Sequence, residues 1–382
     1  MKIAWLGSVI RAEAQSKNNA ISLASNYWQG SFIDALESLS VDVTAISTLP
    51  YRSFPFGPLF VKPKQIDFVN RHSILYEYLN LKCFRGRSKV QGIKSSLALL
   101  SNIDALISYN AYPECRIASA KYSLEHQLPW IEICADAWES KPGWELICGE
   151  DKVPDGYVFL SAEAYRRCPV RNKILIHGGV PVNSDLNSFS ISDQRDKAES
   201  DSMVFLYSGS FEYWSGLSLL LESFLNLPDY LGGILVICGY GPLSDSDRLI
   251  IESNSKIRFL GTVNKQELNS LREKADILVN PRLQIAENIF NFPSKLLEYM
   301  SYQKIIVSTE TPGIPSGFSS MMILTKGGAR DFSAGLLKAA QMSKNQRESI
   351  LNSLGVYCST HTWFDEAKRF FSFLKLVIKE VR

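Results

Sequence analysis

The sequence predicts an α/β chain of two Rossmann-like domains, and three observations carry that prediction. Its 382 residues exceed what one hydrophobic core usually serves. Short apolar runs bounded by turn residues alternate with segments of helical period, the pattern of parallel strands joined by helices. The alternation also runs twice. Between the two series, after Val180, lies a stretch rich in Asn, Ser, Asp and Lys that has no periodic apolar face until Met203 and reads as an interdomain linker.

In the first series, Lys2 to Leu6 is a strand, Ile21 to Leu39 a helix and Val41 to Ser47 a second strand. Further strands are expected at Asp104 to Tyr109, Trp130 to Ala135, Gly156 to Ser161 and Lys173 to His177. Leu49 to Pro63 holds Pro50, Pro55, Pro58 and Pro63 among aromatics, so it reads as a surface loop suited to contact an acceptor. The second series places strands at Val204 to Tyr207, Ile234 to Cys238, Ile257 to Leu260, Ile277 to Val279, Ile305 to Ser308 and Met322 to Leu324. A terminal helix follows, with Trp363, Ala367, Phe370, Phe371, Leu374, Val377, Ile378 and Val381 on one stripe. Docking on a domain is the favoured reading of that stripe. Lys368, Arg369, Lys375, Lys379 and Arg382 on the other face keep an interfacial membrane helix open as an alternative.

Composition narrows the function classes. With 46% hydrophobic and 21% charged residues the chain can bury a core and is not disordered. Its 41 basic residues against 39 acidic leave a net charge of +2, too weak a field to make nucleic acid a partner. Cys83, Cys115, Cys134, Cys148, Cys168, Cys238 and Cys358 are scattered singly without metal-ligand spacing, which fits a reducing cytoplasm. Cys134 and Cys238 lie in apolar runs and read as core. The first ten residues meet Arg11, Glu13 and Lys17, a poor match to a signal peptide, and no window reaches the length of apolar residues that a membrane span needs.

Ligands of open α/β sheets bind beyond the carboxyl ends of the strands. Gly7-Ser8, Ser208-Gly209-Ser210, Gly239-Tyr240-Gly241-Pro242 and Asn280-Pro281-Arg282 all fall at such ends. Each alone also fits a tight turn. The sharpest cluster is Asn291 to Met300, NFPSKLLEYM, where Pro293 suits the first helical position and strong helix formers follow. The helix start at Pro293 and Ser294, with its free amides and with Lys295 in the first turn, would suit a diphosphate, and Glu298 one turn on could accept hydrogen bonds from sugar or ribose hydroxyls. A solvated amphipathic helix face is the less favoured alternative. Asp136, after the strand ending at Ala135, could bond an acceptor or sugar hydroxyl, or could cap a turn. His126 and His177 belong to no acid–base pair and read as structural.

These residues carry a family resemblance. The run FPSKLLEYM, preceded by ADILVNPR and followed by KIIVST and TPGIP, resembles the group 1 retaining glycosyltransferases, as do SNYWQGSFIDAL, YSGSFEYWSGLSLLLESF, ICGYGPL and FLGTV. The resemblance is nearest to members that build capsule, exopolysaccharide or O-antigen lipopolysaccharide. It implies the GT-B fold, two Rossmann-like domains facing each other across a cleft, with the last helix crossing back onto the first. On that basis residues 1–182, with 362–382 packed against them, are expected to bind the acceptor, and 183–361 the nucleotide sugar. Donor contacts fall on Gly7, Ser208, Gly209, Gly239, Gly241, Pro293, Ser294, Lys295 and Glu298, and catalysis on Asp136, Arg282 and Lys295. The resemblance further implies retention of configuration, no cofactor or metal, a saccharide or lipid-linked acceptor, and peripheral contact with the cytoplasmic face of the inner membrane.

The chain also departs from the family pattern. A glutamate expected before Glu298 with seven residues between the two is replaced by Phe290, with Glu287 three residues earlier, and Ser210 and Ser215 stand where Arg and Lys are usual. Arg282 and Lys295 could supply that charge, Arg282 through a bidentate fork. The helix end at Tyr302-Gln303 lacks the usual glycine. A non-catalytic sugar-nucleotide-binding subunit and a nucleotide-sugar epimerase stay open as alternatives. The chain's 4 histidines weigh against the epimerase. A nicotinamide-dependent oxidoreductase would need a GxGxxG run after the first strand, which Gly7-Ser8-Val9 does not supply.

Overall fold

Runs such as Ile3-Ala4-Trp5-Leu6 are buried on both faces, which is why they read as unbroken apolar strings and not as alternation. In a computed structural model, which describes residues 1–9, 22–47, 51–62, 64–68, 71–110, 112–136, 152–182 and 202–381, such runs form two parallel sheets. The chain divides into two units. One comprises Met1–Gly179, Phe290–Phe292 and Trp363–Arg382, and the other Val180–Ile289 and Pro293–Thr362. The linker expected after Val180 falls mostly outside the described residues, as do Arg11, Glu13, Lys17, Leu49, Pro50, Pro63 and Cys148.

The strands of the first unit are β1 (Lys2–Gly7), β2 (Asp42–Ser47), β3 (Phe60–Val61), β4 (Lys64–Phe68), β5 (Arg71–Leu75), β6 (Tyr78–Leu79), β7 (Ala105–Tyr109), β8 (Trp130–Cys134), β9 (Gly156–Phe159) and β10 (Lys173–Leu175). The main sheet has the order β10-β9-β8-β7-β1-β2-β5-β4, and β4 joins it antiparallel. From β5 to β9 this is the doubly wound 3-2-1-4-5-6 order. The β4–β5 hairpin and the small β3–β6 pair went unpredicted, because their segments are short and mix polar with apolar residues. Helices α1 (Leu23–Ser38), α2 (Arg85–Ala98), α3 (Pro113–His126) and α4 (Ala162–Arg167) connect the strands. Ser22 caps α1 by accepting from the Ser25 N–H at 3.3 Å.

The second unit holds β11 (Val204–Ser210), β12 (Ile234–Tyr240), β13 (Ile257–Gly261), β14 (Ile277–Asn280), β15 (Ile305–Thr309) and β16 (Ile323–Thr325) in the order β13-β12-β11-β14-β15-β16. Every neighbouring pair is parallel, so the 3-2-1-4-5-6 order recurs. Its helices are α5 (Leu217–Leu225), α6 (Asp245–Ser253), α7 (Lys265–Lys274), α8 (Ala286–Ile289), α9 (Lys295–Met300), α10 (Ala329–Ala340) and α11 (Lys344–Thr360). Capping boxes at Asn264/Glu267 and Ser343/Gln346 start α7 and α11. Phe205, Tyr207, Leu235, Ile237, Ile277 and Val307 pack with Leu220, Leu221, Phe332 and Leu336 of the covering helices. Burial of each apolar side chain contributes roughly 1.5–3 kcal/mol. β11 and β12 continue past their expected ends, with Gly209 in register with Gly239.

Helix α12 (Trp363–Val381) packs on the first unit. Trp363 meets Trp28 edge-on with ring centroids 5.8 Å apart, and Phe370 meets Phe32 at 5.4 Å. Phe373 takes the inner position expected for Phe371, and lies so close to Gly156 that a Cβ there would come within 2.9 Å of its ring. The Arg369 guanidinium donates to Glu366 at 2.6 Å and to the Leu175 carbonyl at 3.1 Å. Among the described residues no helix is long and apolar enough to cross a membrane. Because Phe370 is 0% exposed, Phe370→Ala is expected to lower stability to urea unfolding by about 3–5 kcal/mol. A loss below about 1 kcal/mol would show that α12 is not anchored through this ring.

Candidate functional site

In each sheet the strand order reverses beside the first strand, at β1/β7 and at β11/β14, and a crevice opens there beyond the carboxyl ends. In the second unit this position is built by Ser208–Ser210 at the end of β11, by Asn280-Pro281-Arg282 at the end of β14, and by α9. The loops are tightly locked. Gly239 has φ +147°, and a Cβ on it would sit 1.7 Å from the Gly209 carbonyl oxygen. A Cβ on Gly216 would meet the Pro281 oxygen at 1.8 Å. Asn288, buried on α8, donates from Nδ2 to the Trp214 carbonyl at 2.9 Å and to the Leu283 carbonyl at 2.8 Å.

Lys295 is the charged centre of the arrangement. Its Nζ lies 4.4 Å from the centroid of the Tyr207 ring, a cation–π contact. It also fills the space that a Cβ on Gly209 would need, 2.0 Å from that position. The Tyr207 hydroxyl donates to the Ser210 carbonyl at 2.6 Å, which holds the ring in place. Burial, reinforced by the positive charge of Arg282, pushes the ammonium down from 10.5 to about 7, against the opposing pull of Glu298. Lys295 and Arg282 therefore repel each other, and the pull of Glu298 on the ammonium does not offset burial and that repulsion.

Glu298 is held by Arg272 of α7, whose guanidinium donates to Oε2 at 2.7 Å and approaches Ser208 Oγ at 3.4 Å. The same guanidinium lies over the rings of Tyr299 and Tyr302, at 5.7 and 5.6 Å. Arg272 was not singled out in the sequence, since a basic residue in the last turn of a helix ordinarily serves the helix dipole at the surface. The Arg side chain is only 8% exposed, whereas Glu298 keeps 38%.

Other expected positions are distributed as follows. Gly209, Gly239, Gly241, Arg282, Pro293, Ser294, Lys295 and Glu298 all belong to the second unit, at the ends of β11, β12 and β14 or on α9. Ser208 faces inward: its N–H donates to the Tyr299 hydroxyl at 3.1 Å, and it is 4% exposed. Pro293 lies two residues before α9, which starts at Lys295 with Ser294 as N-cap. The helix spans six residues, so most of the local positive potential comes from side chains and not from a long dipole. Gln303, at the end without a glycine, adopts φ +52° itself and donates from Nε2 to the Met300 carbonyl at 3.3 Å. Ser210 and Ser215 bond each other, Oγ to Oγ at 2.8 Å.

Gly7 and Asp136 belong to the first unit. Gly7 is packed against Gln29, whose Oε1 would lie 2.0 Å from a Cβ at that position. Gln29 accepts from Trp5 Nε1 at 3.1 Å and from the Ser8 N–H at 3.2 Å. It is fully buried and closes the end of β1, a role its place inside SNYWQGSF did not reveal. Asp136 and Asn110 bond reciprocally: Asn110 Nδ2 donates to the carboxylate at 3.1 Å, and Asn110 Oδ1 accepts from the Asp136 N–H at 3.2 Å. Phe290 is buried in this unit under the Arg167 guanidinium, 5.2 Å from its centroid, while Glu287 is exposed on α8. His126 packs on Tyr122 at 4.1 Å, and His177 stacks on Phe292 at 4.3 Å.

Two mainly parallel, doubly wound sheets give this chain the GT-B fold of the solved glycosyltransferase structures that it resembles. The glycosyltransferase from Rickettsia africae matches with a TM-score of 0.73 and 12% identity, covering 99% of this chain and 98% of that one. WaaG, a glycosyltransferase involved in lipopolysaccharide biosynthesis, matches with a TM-score of 0.63 and 12% identity, covering 98% and 99%. A trehalose-6-phosphate protein from E. coli, bound with UDP-2-fluoro glucose, matches with a TM-score of 0.67 and 11% identity, covering 98% and 99%. At the level of sequence, residues 202–341 match the family described as Glycosyl transferases group 1. No curated protein matches the chain.

The lysine has a consequence for stability. Between pH 7 and 10.5 the folded state has shed the Lys295 proton while the unfolded chain still binds it, so this group's cost is full below pH 7 and fades as pH rises through that window. Lys295→Met is therefore expected to raise the thermal midpoint of the ligand-free protein at pH 6–7, with the gain vanishing near pH 10. An unchanged or lowered midpoint at both pH values would refute the repulsion. Separately, Gly239→Ala is expected to cost more than about 3 kcal/mol by urea unfolding, against about 1 kcal/mol for Gly232→Ala, since nothing lies within 4 Å of a Cβ on Gly232.

Proposed function

We propose that this protein is a retaining glycosyltransferase that moves a sugar from a nucleotide-diphosphate donor to a growing polysaccharide or lipid-linked oligosaccharide. The observation that carries the reading is the Lys295 ammonium against Gly209 at the β11/β14 switch point, beside Arg282. It lies within the segment that matches the group 1 family. A diphosphate would place negative charge against the Lys295 ammonium, which the pull of Glu298 alone does not offset. Departure of the nucleotide concentrates negative charge on that diphosphate while positive charge grows on the sugar ring, and preorganised cations stabilise the change. In this reading Lys295 and Arg282 hold the diphosphate without a resident metal. The amides around Gly209, Gly239 and Gly241 line its approach, and Glu298, steadied by Arg272, accepts from ribose or sugar hydroxyls. The acceptor is assigned to the first unit, with Asp136 as the hydroxyl-bonding candidate.

The likeness to WaaG supports a surface-glycan acceptor, and the complex of the E. coli protein supports a nucleotide-sugar donor. The family match favours neither the epimerase nor the non-catalytic reading. A cytoplasmic location goes with the proposal.

Thermal stabilisation and donor hydrolysis across UDP-, GDP-, ADP- and CMP-sugars test it. One nucleotide class is expected to stabilise the wild type and be slowly hydrolysed, with both responses lost in Lys295→Ala and reduced at least tenfold in Glu298→Ala. Because the lysine is protonated below about pH 7 in the free protein, donor affinity is expected to fall as pH rises above 7, by up to about tenfold per unit. No response to any nucleotide sugar would overturn the reading.

A further inference from the structure

Two exposed rings beside the donor site have no part in the donor chemistry. Tyr213 is 75% exposed and Trp214 41%, and Tyr240, 55% exposed, ends the neighbouring strand in register with Ser210. Among the described residues neither Tyr213 nor Trp214 stacks on another aromatic ring or on a cation. Large apolar side chains scattered singly over a surface need no explanation, but rings gathered at the carboxyl ends of adjacent strands do.

The turn that carries the pair is rigid. Residues Tyr213–Ser215 make a single helical turn, in which the carbonyls of Glu212 and Tyr213 accept from the N–H groups of Ser215 and Gly216 at 2.9 and 3.2 Å. The Trp214 carbonyl accepts from Asn288 Nδ2 at 2.9 Å and from the Leu283 N–H at 3.3 Å. Gly216, at φ +78°, lies so close to the Pro281 carbonyl that no side chain fits there. The Phe211 N–H donates to the Tyr240 carbonyl at 2.7 Å. The Phe211 ring is buried, 6.5 Å from the Tyr207 ring and 5.5 Å from that of Phe259. The backbone is therefore held from several sides while the two rings stay in solvent. A fixed Tyr–Trp pair offers a large contact area that loses little rotamer freedom on binding.

The face of an aromatic ring is apolar and carries negative quadrupole charge. It suits the C–H face of a pyranose, whose hydroxyls project from the rim. Charge narrows the class further. No Lys or Arg falls between Lys197 and Arg248, whereas Glu212 adjoins the rings. Such a turn suits a neutral sugar and repels a phosphorylated or uronic one. Position narrows it again. Ser215 bonds the turn to Ser210, next to Gly209, and Trp214 and Gly216 seat it on the Pro281–Leu283 loop that carries Arg282. These are the groups that hold the diphosphate in the proposed function. The anomeric carbon of the donor is bonded to that diphosphate, so the acceptor hydroxyl must come to this end of the sheet to react.

We propose that Tyr213 and Trp214 form a stacking platform for a neutral pyranose of the acceptor saccharide, a subsite on the second unit additional to the acceptor contacts assigned to the first. The proposal rests on the transferase reading.

Saturation-transfer NMR of the full chain tests it, with the methyl pyranosides of glucose, galactose, mannose and N-acetylglucosamine, and with methyl glucuronide, as probes. At least one neutral glycoside is expected to receive saturation on its ring C–H protons and to bind more tightly than the glucuronide. Tyr213→Ser/Trp214→Ser is expected to weaken that glycoside by about fivefold or more, and Tyr213→Phe/Trp214→Phe to restore most of its affinity. Circular dichroism and thermal unfolding of both variants should match the wild type, because the rings make no stacking contact inside the fold. Binding of no neutral glycoside, preference for the glucuronide, or unchanged affinity in the serine variant would overturn the platform. Thermal stabilisation by nucleotide sugars separates it from the reading on which it rests. Retained stabilisation in the serine variant, with glycoside binding lost, supports a platform for the acceptor. Equal loss of both responses would show that the rings hold the nucleoside and would overturn it. Ring-dependent glycoside binding by a wild type that responds to no nucleotide sugar would overturn the transferase reading while supporting the platform.

Discussion

Burial of one ammonium organises the second unit. Lys295 lies on the Tyr207 face and against the bare Cα of Gly209, and burial, reinforced by the charge of Arg282, lets it hold its proton only up to about pH 7. A side chain on Gly209 would remove the space, and one on Gly239 would drive into the Gly209 carbonyl, so the two glycines in register at the centre of the sheet are conditions for the cation's position. The tyrosine must also keep its angle, which the bond from its hydroxyl to Ser210 secures. A buried ammonium repelled by a neighbouring guanidinium is costly, and an anion bound against it would offset that cost. Stability and ligand affinity are therefore coupled at this point of the fold.

The surrounding side chains act on that centre by fixing geometry. Arg272, nearly buried, holds the Glu298 carboxylate through an ion pair at 2.7 Å. Ser210 and Ser215, placed where related sequences carry cations, bond each other and close the turn after β11 as neutral groups. Within the first unit the corresponding strand end is closed by Gln29, which takes up the indole N–H of Trp5 and the amide of Ser8. The two units share one strand order while differing in what stands at the switch point: positive side chains in one, a buried amide in the other.

Much of this was legible in the residues. Strands buried on both faces announce themselves as apolar runs, and helices that cover them show three- and four-residue spacing, so the α/β order and most strand positions follow from the pattern alone. Gly209, Gly239, Arg282, Lys295 and Glu298 were marked by their places after strands or in a strong helix start. Asn288, Arg272 and Gln29 were not, because each is a polar residue in an ordinary local setting whose partners lie far away in sequence. The β4–β5 hairpin escaped for a similar reason: its pairing lies in backbone bonds that mixed side chains do not advertise.

By itself the sequence determined the fold class, the double run of strands and helices, and the resemblance that pointed to nucleotide-sugar chemistry, since these depend on local periodicity and on motifs contiguous in the chain. The tertiary structure alone decided that Ser208 faces inward to Tyr299, that Arg272 holds Glu298, that Phe373 is the inner ring of α12, and that Tyr213 and Trp214 stand exposed on a braced turn. Side-chain direction, burial and charge coupling depend on which distant residues share a neighbourhood, and long-range packing sets that where local sequence does not.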